Sequence, residues 1–307
     1  MPSLSIKNYG NLREQYSRRL EVRGYAPGTI RLYRIYVNQF MGFLKRERMR
    51  SLRKVDVRIL DGYQDYLFGR ERNLKRASQR NNLHGLNSFF KWMRRQKLIK
   101  DNPIQEMEFP KKPSPLPRGI LTEKEVSRIL DSVDQSTKIG MRDKAVLELL
   151  YATGMRSGEI VNLKISDLKL EYGMAHIANA KNRRDRVIPM GKTAVRTLRK
   201  YLRTARNQFL DKGKLPWLFT NYRGEKMWGG RVATMIVQKY AKKTGLCQNV
   251  TAYTLRHSMG THLVRKGAPL RYIQELLGHK YIVSTQIYTR LVPEDLRRFH
   301  RKYHPRA

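Results

Sequence analysis

The stretch FPKKPSPLPRG, residues 109–119, decides how this chain is organised. It holds four prolines and three cations, which exclude a helix and favour an extended, solvated segment. A long loop inside one domain is the alternative, but so much proline rarely runs through a compact interior. Because 307 residues are enough for two cores, we predict domains at 1–110 and 119–307, joined by a linker at 111–118.

Before the linker, the apolar residues follow the period of helices. One helix face is formed by Ile30, Tyr33, Val37, Phe40 and Leu44. A second face is formed by Leu83, Leu86, Phe90 and Met93. The cations concentrated around the second helix are Arg76, Arg80, Lys91, Arg94, Arg95 and Lys97. These cations either face solvent only or contact the phosphate backbone of a nucleic acid. Because six of them lie close together around one helix, contact with phosphate is favoured.

After the linker, a helix start marks a new folded unit. Thr122 and Glu125 have the spacing of a capping box, with Leu121 and Val126 as its hydrophobic staple. The apolar helix that follows is predicted to end at Gly154, a natural cap for a helix C-terminus. Ser157 is predicted to cap the next helix, which leaves Arg156 in a tight turn between the two.

The helical period then gives way to a hairpin. Residues 174–178 and 186–190 predict two short strands, and the polar turn between them contains Lys181. Helices return at 193–209, around 232–244, and from Thr254 onward. The predicted fold class is therefore mainly α, with a small antiparallel sheet in the second domain.

The charge of the chain indicates a polyanionic partner. Lys and Arg number 64 against 25 Asp and Glu, a formal charge of +39, and basic residues occur in every segment. Nucleic acid is favoured over a membrane, because the N-terminus has no apolar signal-like core and no apolar run approaches about 20 residues. Cys247 is the only cysteine in the sequence, which excludes an intrachain disulfide and a cysteine-based zinc cluster and suits a reducing cytosol.

Three dispersed residues point to chemistry at a phosphodiester. Arg256 lies in TLRH, His279 closes LLGH, and Tyr288 closes TQIY. An arginine and an imidazole can hold a phosphodiester while a phenol attacks it. Taken singly, each has a plainer interpretation as a surface cation, a polar helix end or a packed tyrosine.

Five strings in order resemble the tyrosine site-specific recombinases, and among them the compact Xer-type and phage or transposon integrases. The strings are ATGMRSGEI (152–160), Lys181 ahead of RVIP (186–189), TLRHSMGTH (254–262), LGH (277–279) and IY (287–288). The helical unit before the linker is similar to the core-binding domain of that family. The resemblance covers nearly the whole chain. It implies an N-terminal helical, SAM-like core-binding domain followed by an α+β domain that breaks and rejoins DNA.

The resemblance also implies a role for each site residue. Tyr288 would attack the scissile phosphate and form a 3′-phosphotyrosine. Arg156 and Arg256 would bind the non-bridging oxygens, and Lys181 would protonate the leaving 5′ oxygen. His279 would hydrogen-bond a non-bridging oxygen or assist the deprotonation of the tyrosine. Because cations would do the electrophilic work, no metal, ATP or other cofactor is implied.

One position departs from the family pattern. Tyr253 stands where the family commonly has histidine. A phenol can donate to a phosphate oxygen, but it cannot be cationic near neutral pH, so an altered rate or pH dependence is expected. Tyr253 is included in the predicted catalytic set, with no catalytic role as the alternative. His257 is expected to stabilise the fold around Arg256.

The implied partner is double-stranded DNA with specific recombination sites, bound in the cytoplasm at the nucleoid. A homo-tetramer would act on two such sites, alone or with a second recombinase. A C-terminal segment after Tyr288, residues 293–303, would then dock into a neighbouring protomer, or else form a frayed terminus. The anchors would be Leu296 and Phe299 in this segment and Leu291 just before it. Two other functions stay open: a telomere resolvase or type IB topoisomerase with the same chemistry, and a non-catalytic DNA-binding or architectural protein with the same fold.

Overall fold

The chain divides into two compact units, Met1–Ser114 and Pro115–Ala307. The structure, a computed structural model, describes residues 9–69, 72–111, 119–178, 185–209, 215–227, 229–246 and 249–278. Most of the predicted linker, residues 112–118, lies outside the described residues. The domain limits at 110 and 119 therefore stay a prediction.

Helices build the first unit. They are α1 (Tyr9–Val22), α2 (Pro27–Arg46), α3 (Val57–Phe68) and α4 (Arg76–Arg95), with 3-10 turns at Leu52–Lys54 and Pro103–Glu106. Pro27 occupies the first position of α2, where its missing N–H would have no helical partner. Asp56 caps α3 by accepting from the backbone N–H of Ile59 at 3.0 Å.

The core of the first unit is rich in aromatic rings. Phe40 lies edge-on to Tyr63, with ring centroids 4.9 Å apart, and to Phe90 at 5.8 Å. The hydroxyl of buried Tyr63 donates to Asn82 at 3.1 Å, so the one polar group of this ring is satisfied. The predicted second face, on α4, is buried throughout, and the first face, on α2, is buried except for the partly buried Tyr33.

The cations predicted around the second helix have two different environments. Arg76, Lys91, Arg94, Arg95 and Lys97 are exposed. Arg80 is half-buried: its guanidinium donates to the carbonyl of Pro110 and lies 5.9 Å from the ring centroid of Phe109. Arg80 therefore holds the segment that leads out of this unit.

The second unit combines helices with a small sheet. Its helices are α5 (Glu123–Asp131), α6 (Lys138–Thr153), α7 (Ser157–Val161), α8 (Gly191–Thr204), α9 (Arg231–Lys243), α10 (Ala252–Arg265) and α11 (Leu270–Leu277). Its strands are β1 (Leu168–Lys169), β2 (Met174–Ile177) and β3 (Arg186–Pro189), in the antiparallel order β1-β2-β3. Ala175 pairs with Ile188 in the predicted hairpin, and both are buried. The predicted fold class, mainly α with a small antiparallel sheet, is confirmed.

The capping box at the start of this unit is confirmed. Thr122 Oγ1 accepts from the backbone N–H of Glu125 at 3.2 Å, and the backbone N–H of Thr122 donates to Glu125 Oε2 at 2.7 Å. Two otherwise unpaired N–H groups are thus satisfied at the beginning of α5.

Helix α6 is the central helix of the second unit, and a buried carboxylate ties it to α9. Asp143 is 1% exposed and accepts from Arg142 Nη2 at 2.7 Å, from the Tyr240 hydroxyl at 3.0 Å and from Lys239 Nζ at 3.2 Å. Such a carboxylate is tolerable in an interior because cations and donors surround it.

Three local predictions were wrong in detail. Arg156, not Ser157, is the N-cap of α7, because the Glu159 carboxylate accepts from the backbone N–H of Arg156. The sheet has a third strand, β1, whose two residues are too short for a sequence pattern. The helix predicted at 193–209 is α8 followed by a 3-10 turn at Arg206–Phe209.

No helix in the described part of the chain has the length and apolarity needed to cross a membrane.

Candidate active site

The end of helix α11 brings the two predicted arginines together. Arg156 lies at the start of α7 and donates through Nη2 to the carbonyl of Gly278 at 2.9 Å. Arg256 lies on α10 and donates through Nη2 to the carbonyl of Leu277 at 2.6 Å. Two guanidinium groups from different helices therefore donate to two adjacent carbonyls at the C-terminus of a third helix.

A third arginine completes this arrangement. Arg186, the first residue of β3, donates through Nε to the carbonyl of Leu276 at 3.1 Å. The last carbonyls of a helix have no partner within the helix and carry the negative end of its dipole. Three consecutive carbonyls at the end of α11 thus each accept from a different arginine, which fixes the helix end and the three cations relative to one another.

Glu159 links two of these arginines. Its Oε1 accepts from Arg156 Nη1 at 2.8 Å and from Arg186 Nη1 at 3.0 Å, while its Oε2 accepts from Arg186 Nη2 at 2.7 Å. Burial raises the pKa of the Glu159 carboxyl, but the hydrogen bonds and charges of Arg186 and Arg156 outweigh burial and lower the pKa to about 2. Glu159 is therefore ionised at neutral pH and holds both guanidinium groups.

The two predicted arginines differ in access to solvent. The side chain of Arg156 is 41% exposed, whereas Arg256 is 4% exposed. Arg256 also donates through Nη1 to the carbonyl of Gly154. A guanidinium has five N–H donors in a fixed fork, so carbonyl bonds that orient it are compatible with binding an anion as well.

Gly154 is required where α6 meets this site. It ends α6 in the left-handed conformation, with φ +60°, as predicted for the cap of this helix. A Cβ atom at this position would lie 2.1 Å from Met259 Cε and 2.7 Å from Leu277 Cδ2. The absence of a side chain thus allows α6, α10 and α11 to approach one another.

Replacing Gly154 with alanine is expected to destabilise the protein by about 3 kcal/mol, because the variant combines an unfavourable φ with overpacking. Urea unfolding measures this change. The matched control is Gly158→Ala, since a Cβ at Gly158 would meet nothing within 4 Å and this glycine lies within α7. The control is expected to stay within about 1 kcal/mol of the parent. Equal effects of the two substitutions would contradict the packing argument.

Tyr253 lies in the first turn of α10, three residues before Arg256. Its side chain is 64% exposed, and its ring packs edge-on against His257, with centroids 4.3 Å apart. The phenol is thus on the same helix as Arg256 and open to solvent. Its contact with a phosphodiester stays a prediction.

His257 is buried beside the site. It is 7% exposed, and burial together with the charge of Arg256 lowers the pKa of the His257 imidazole to about 4. The imidazole is therefore neutral at physiological pH. Burial and neutrality agree with the structural role expected for this residue.

Because the folded state binds fewer protons at His257 than the unfolded state, the free energy of unfolding is expected to rise with pH between about 4 and 6.5. The difference between the folded pKa of about 4 and the unfolded value of 6.5 corresponds to a change of about 3 kcal/mol in the free energy of unfolding from this group. Urea unfolding from about pH 5 to 7 should show a shallower rise for His257→Gln than for the parent. Identical slopes in the two proteins would rule out His257 as the titrating group.

His262 fastens the start of the second unit to α10. Its Nε2 lies 2.8 Å from the carbonyl of Leu121, and its Nδ1 lies 2.8 Å from the hydroxyl of Tyr151. A carbonyl only accepts, so Nε2 carries the proton and Nδ1 of the neutral ring accepts from Tyr151. The backbone N–H of Leu121 also donates to Ser258 Oγ at 2.9 Å. These bonds hold the helix that carries Arg256.

The other predicted catalytic residues, Lys181, His279 and Tyr288, lie outside the described residues. Lys181 belongs to the segment that connects β2 to β3, and His279 directly follows Gly278 in sequence. Residues 293–303, the proposed docking segment, also lie outside the described residues. Within the described residues, His, Cys, Asp and Glu side chains form no group of three or more that could hold a metal ion.

Sequence reasoning missed Glu159 and Arg186 as site residues. Glu159 follows Arg156 by three residues, the spacing at which a carboxylate reaches back to a helix N-cap, so the capping pattern could have identified it. Arg186 stands in the RVIP string, but its contacts with Glu159 and Leu276 depend on the tertiary fold.

Each of the two units matches a known protein family. The family described as "Phage integrase family" matches residues 120–294, and that described as "Phage integrase, N-terminal SAM-like domain" matches residues 12–100. The curated relative "Tyrosine recombinase XerC 2" of Ralstonia nicotianae is 36% identical over 296 residues, covering 95% of this chain and 85% of the relative. "Tyrosine recombinase XerD" of Listeria innocua is 34% identical over 292 residues, covering 93% of this chain and 95% of the relative.

Solved structures show the same fold. The XerH site-specific recombinase, in a post-cleavage complex with its palindromic difH substrate, matches with a TM-score of 0.74 and 25% identity over 93% of this chain and 83% of that chain. The XerA recombinase matches with a TM-score of 0.55 and 25% identity over 97% of this chain and all of that chain. These matches confirm the predicted family, the SAM-like N-terminal fold and the enzyme class. The chain belongs to the phage integrase family and is a tyrosine recombinase.

Proposed function

We propose that this tyrosine recombinase cleaves and rejoins double-stranded DNA at specific sites through a 3′-phosphotyrosine intermediate. The observation that carries the proposal is the convergence of Arg156 and Arg256 on the end of α11, at the carbonyls of Gly278 and Leu277. Residues that are distant in sequence form one cationic site, and such a site suits a phosphodiester.

The local charge supports this proposal. In the described part of the site, the arginines Arg156, Arg186 and Arg256 outnumber the single carboxylate, Glu159, by two charges. A phosphodiester brings one negative charge and gains another in a pentavalent transition state. Positively charged donors already held in place stabilise that transition state without having to reorganise.

Each predicted residue takes part in the proposed reaction. Arg156 and Arg256 bind the two non-bridging oxygens of the scissile phosphate. The Tyr288 phenol loses its proton to His279 or to water as its oxygen attacks phosphorus. The bond to the 5′ oxygen breaks, and this oxygen takes a proton from Lys181. The phosphotyrosine bond keeps the energy of the broken ester, so the reverse attack by a 5′ hydroxyl rejoins DNA without ATP. His279 assists at a non-bridging oxygen or at the tyrosine, and Tyr253 donates to the phosphate.

The DNA partner is proposed from charge and likeness. The formal charge of +39 suits a polyanion, and the α4 region exposes Arg76, Lys91, Arg94, Arg95 and Lys97. The structure of the XerH recombinase contains its difH substrate, and that of a lambda integrase dimer contains a core site. We place this chain likewise on recombination sites in the cytoplasm, as a homo-tetramer on two duplexes, alone or with a second recombinase.

Covalent trapping on DNA tests the proposal. Duplexes selected from a random pool for tight binding would be prepared as a set with one nick at each successive position. Where the nick lies beside the cleavage position, the released fragment diffuses away and rejoining fails. Denaturing electrophoresis should then show a protein–DNA adduct. Tight DNA binding without any adduct would contradict the proposal and favour the architectural function. Relaxation of supercoiled DNA by a monomer, without synapsis of two duplexes, would instead favour a topoisomerase or a telomere resolvase.

A further inference from the structure

We propose that Arg186 is a positioning residue for the recombinase reaction: it fixes Glu159, and through Glu159 the guanidinium of Arg156, against the end of α11. This inference rests on the proposed function of Arg156 as a phosphate ligand. Arg186 itself need not touch DNA, because its side chain is 11% exposed and its fork is used within the protein.

The fork of Arg186 is held at three points. Nη1 donates to Glu159 Oε1 at 3.0 Å, Nη2 donates to Glu159 Oε2 at 2.7 Å, and Nε donates to the carbonyl of Leu276 at 3.1 Å. Parallel bonds from a planar fork to a carboxylate set orientation as well as distance. Strand β3, helix α7 and helix α11 are thereby joined at one side chain.

Glu159 is fully occupied as an acceptor. Oε1 accepts from Nη1 of Arg156 and of Arg186, while Oε2 accepts from the backbone N–H of Arg156 at 2.8 Å and from Arg186 Nη2. A carboxylate has about four acceptor positions, and here Arg156 and Arg186 fill two each. The carboxylate cannot turn without breaking one of these bonds, and Arg186 supplies half of the restraint.

Gly278 brings Arg186 and Arg156 to the same residue. Its φ is +62°, and a Cβ atom there would lie 3.2 Å from Cδ, Nε and Cζ of Arg186. The Arg186 side chain thus packs directly on the backbone of Gly278, whose carbonyl accepts from Arg156 Nη2. Arg186 thus packs on Gly278, and Arg156 is bound by the carbonyl of the same residue.

A lysine cannot replace this arrangement. An ammonium group is a point charge on a flexible stem, without the planar fork that binds both carboxylate oxygens and a carbonyl together. Without a cation at position 186, burial would raise the pKa of the Glu159 carboxyl. A protonated Glu159 holds Arg156 less firmly. The loss of cleavage rate in a variant without a cation at position 186 should therefore be largest at low pH.

Single-turnover cleavage of the nicked duplex tests the inference in the full chain. Arg186→Met is expected to slow adduct formation by about 10²-fold, the usual cost of a misplaced catalytic group, and Arg186→Lys by less, while both leave the Kd for DNA nearly unchanged. The ratio of parent to Arg186→Met rates should fall as pH rises, because the variant lacks the Arg186 hydrogen bonds and charge that lower the pKa of the Glu159 carboxyl. When Glu159→Gln is introduced into both proteins, the ratio of their rates should no longer depend on pH.

A structural arginine serves as the matched control. Arg206 is 2% exposed and donates to the carbonyls of Leu215 and Trp217, so Arg206→Lys should lower the melting temperature without a pH-dependent rate ratio. Arg186 variants that lose activity only in proportion to their folded fraction, as Arg206→Lys should, would overturn the inference. So would adduct formation at the parent rate.

If Arg186→Met fails to fold, Glu159→Gln alone decides, since it keeps the shape of the side chain and removes its charge. Cleavage by Glu159→Gln at the parent rate would contradict the inference. Failure of the proposed function is recognised separately, because in that case the parent protein itself would form no adduct.

Discussion

Replacing Arg256 with lysine is expected to slow DNA cleavage by about 10³-fold, the effect of removing a donor from charge developing in a transition state. Arg256 is 4% exposed and already binds the carbonyls of Gly154 and Leu277. A lysine cannot hold both carbonyls and a phosphate oxygen in one plane. Single-turnover adduct formation, compared with the Kd for the same duplex, measures the loss.

The control for this variant is Arg199→Lys. Arg199 is an exposed arginine of the same unit and also donates to a backbone carbonyl, that of Leu170 at 3.1 Å, but it lies outside the site. The Arg199→Lys variant should cleave DNA at the parent rate. A loss of DNA binding by Arg256→Lys as large as its loss of cleavage would assign Arg256 to binding instead of to the transition state.

Replacing Tyr288 with phenylalanine is expected to abolish adduct formation and leave DNA binding intact. The substitution removes only the attacking oxygen, and loss of a covalent nucleophile costs on the order of 10⁶-fold in turnover. Tyr272→Phe is the matched control, because Tyr272 is an exposed tyrosine of α11, 45% exposed, with no role in the proposed reaction. Denaturing electrophoresis after incubation with the nicked duplex measures the covalent adduct formed by both variants. Adduct formation by Tyr288→Phe at the parent rate would assign the attack to another residue.

Local sequence signals predicted most of the fold. The three-and-four spacing of Phe40 and Phe90 with their neighbours identified α2 and α4, because burial of one face imposes that period. Thr122 and Gly154 marked helix ends because caps satisfy backbone groups within a few residues. Strand β1 was missed because two residues carry no period, and its pairing with β2 depends on tertiary contacts.

The candidate site was predicted less completely than the fold. Arg156 and Arg256 were found through the motifs that carry them, and the structure brings them together at α11. The bonds of Arg186 to Glu159 and to Leu276 could not be predicted, because they join residues far apart in the chain. Ser157 was preferred to Arg156 as the N-cap because a serine side chain can accept a hydrogen bond. In the structure, the Glu159 carboxylate serves the helix start instead.

Mapping the covalent attachment point identifies the residue that attacks DNA. The adduct formed on a nicked duplex would be digested with nuclease and trypsin, and the peptide that carries the nucleotide would be sequenced by mass spectrometry. We expect a nucleotide on Tyr288 in the peptide YIVSTQIYTR, residues 281–290, linked through its 3′ phosphate. Attachment at Tyr281 of the same peptide, or at Tyr253 in the peptide of residues 244–256, would show that Tyr288 is not the nucleophile.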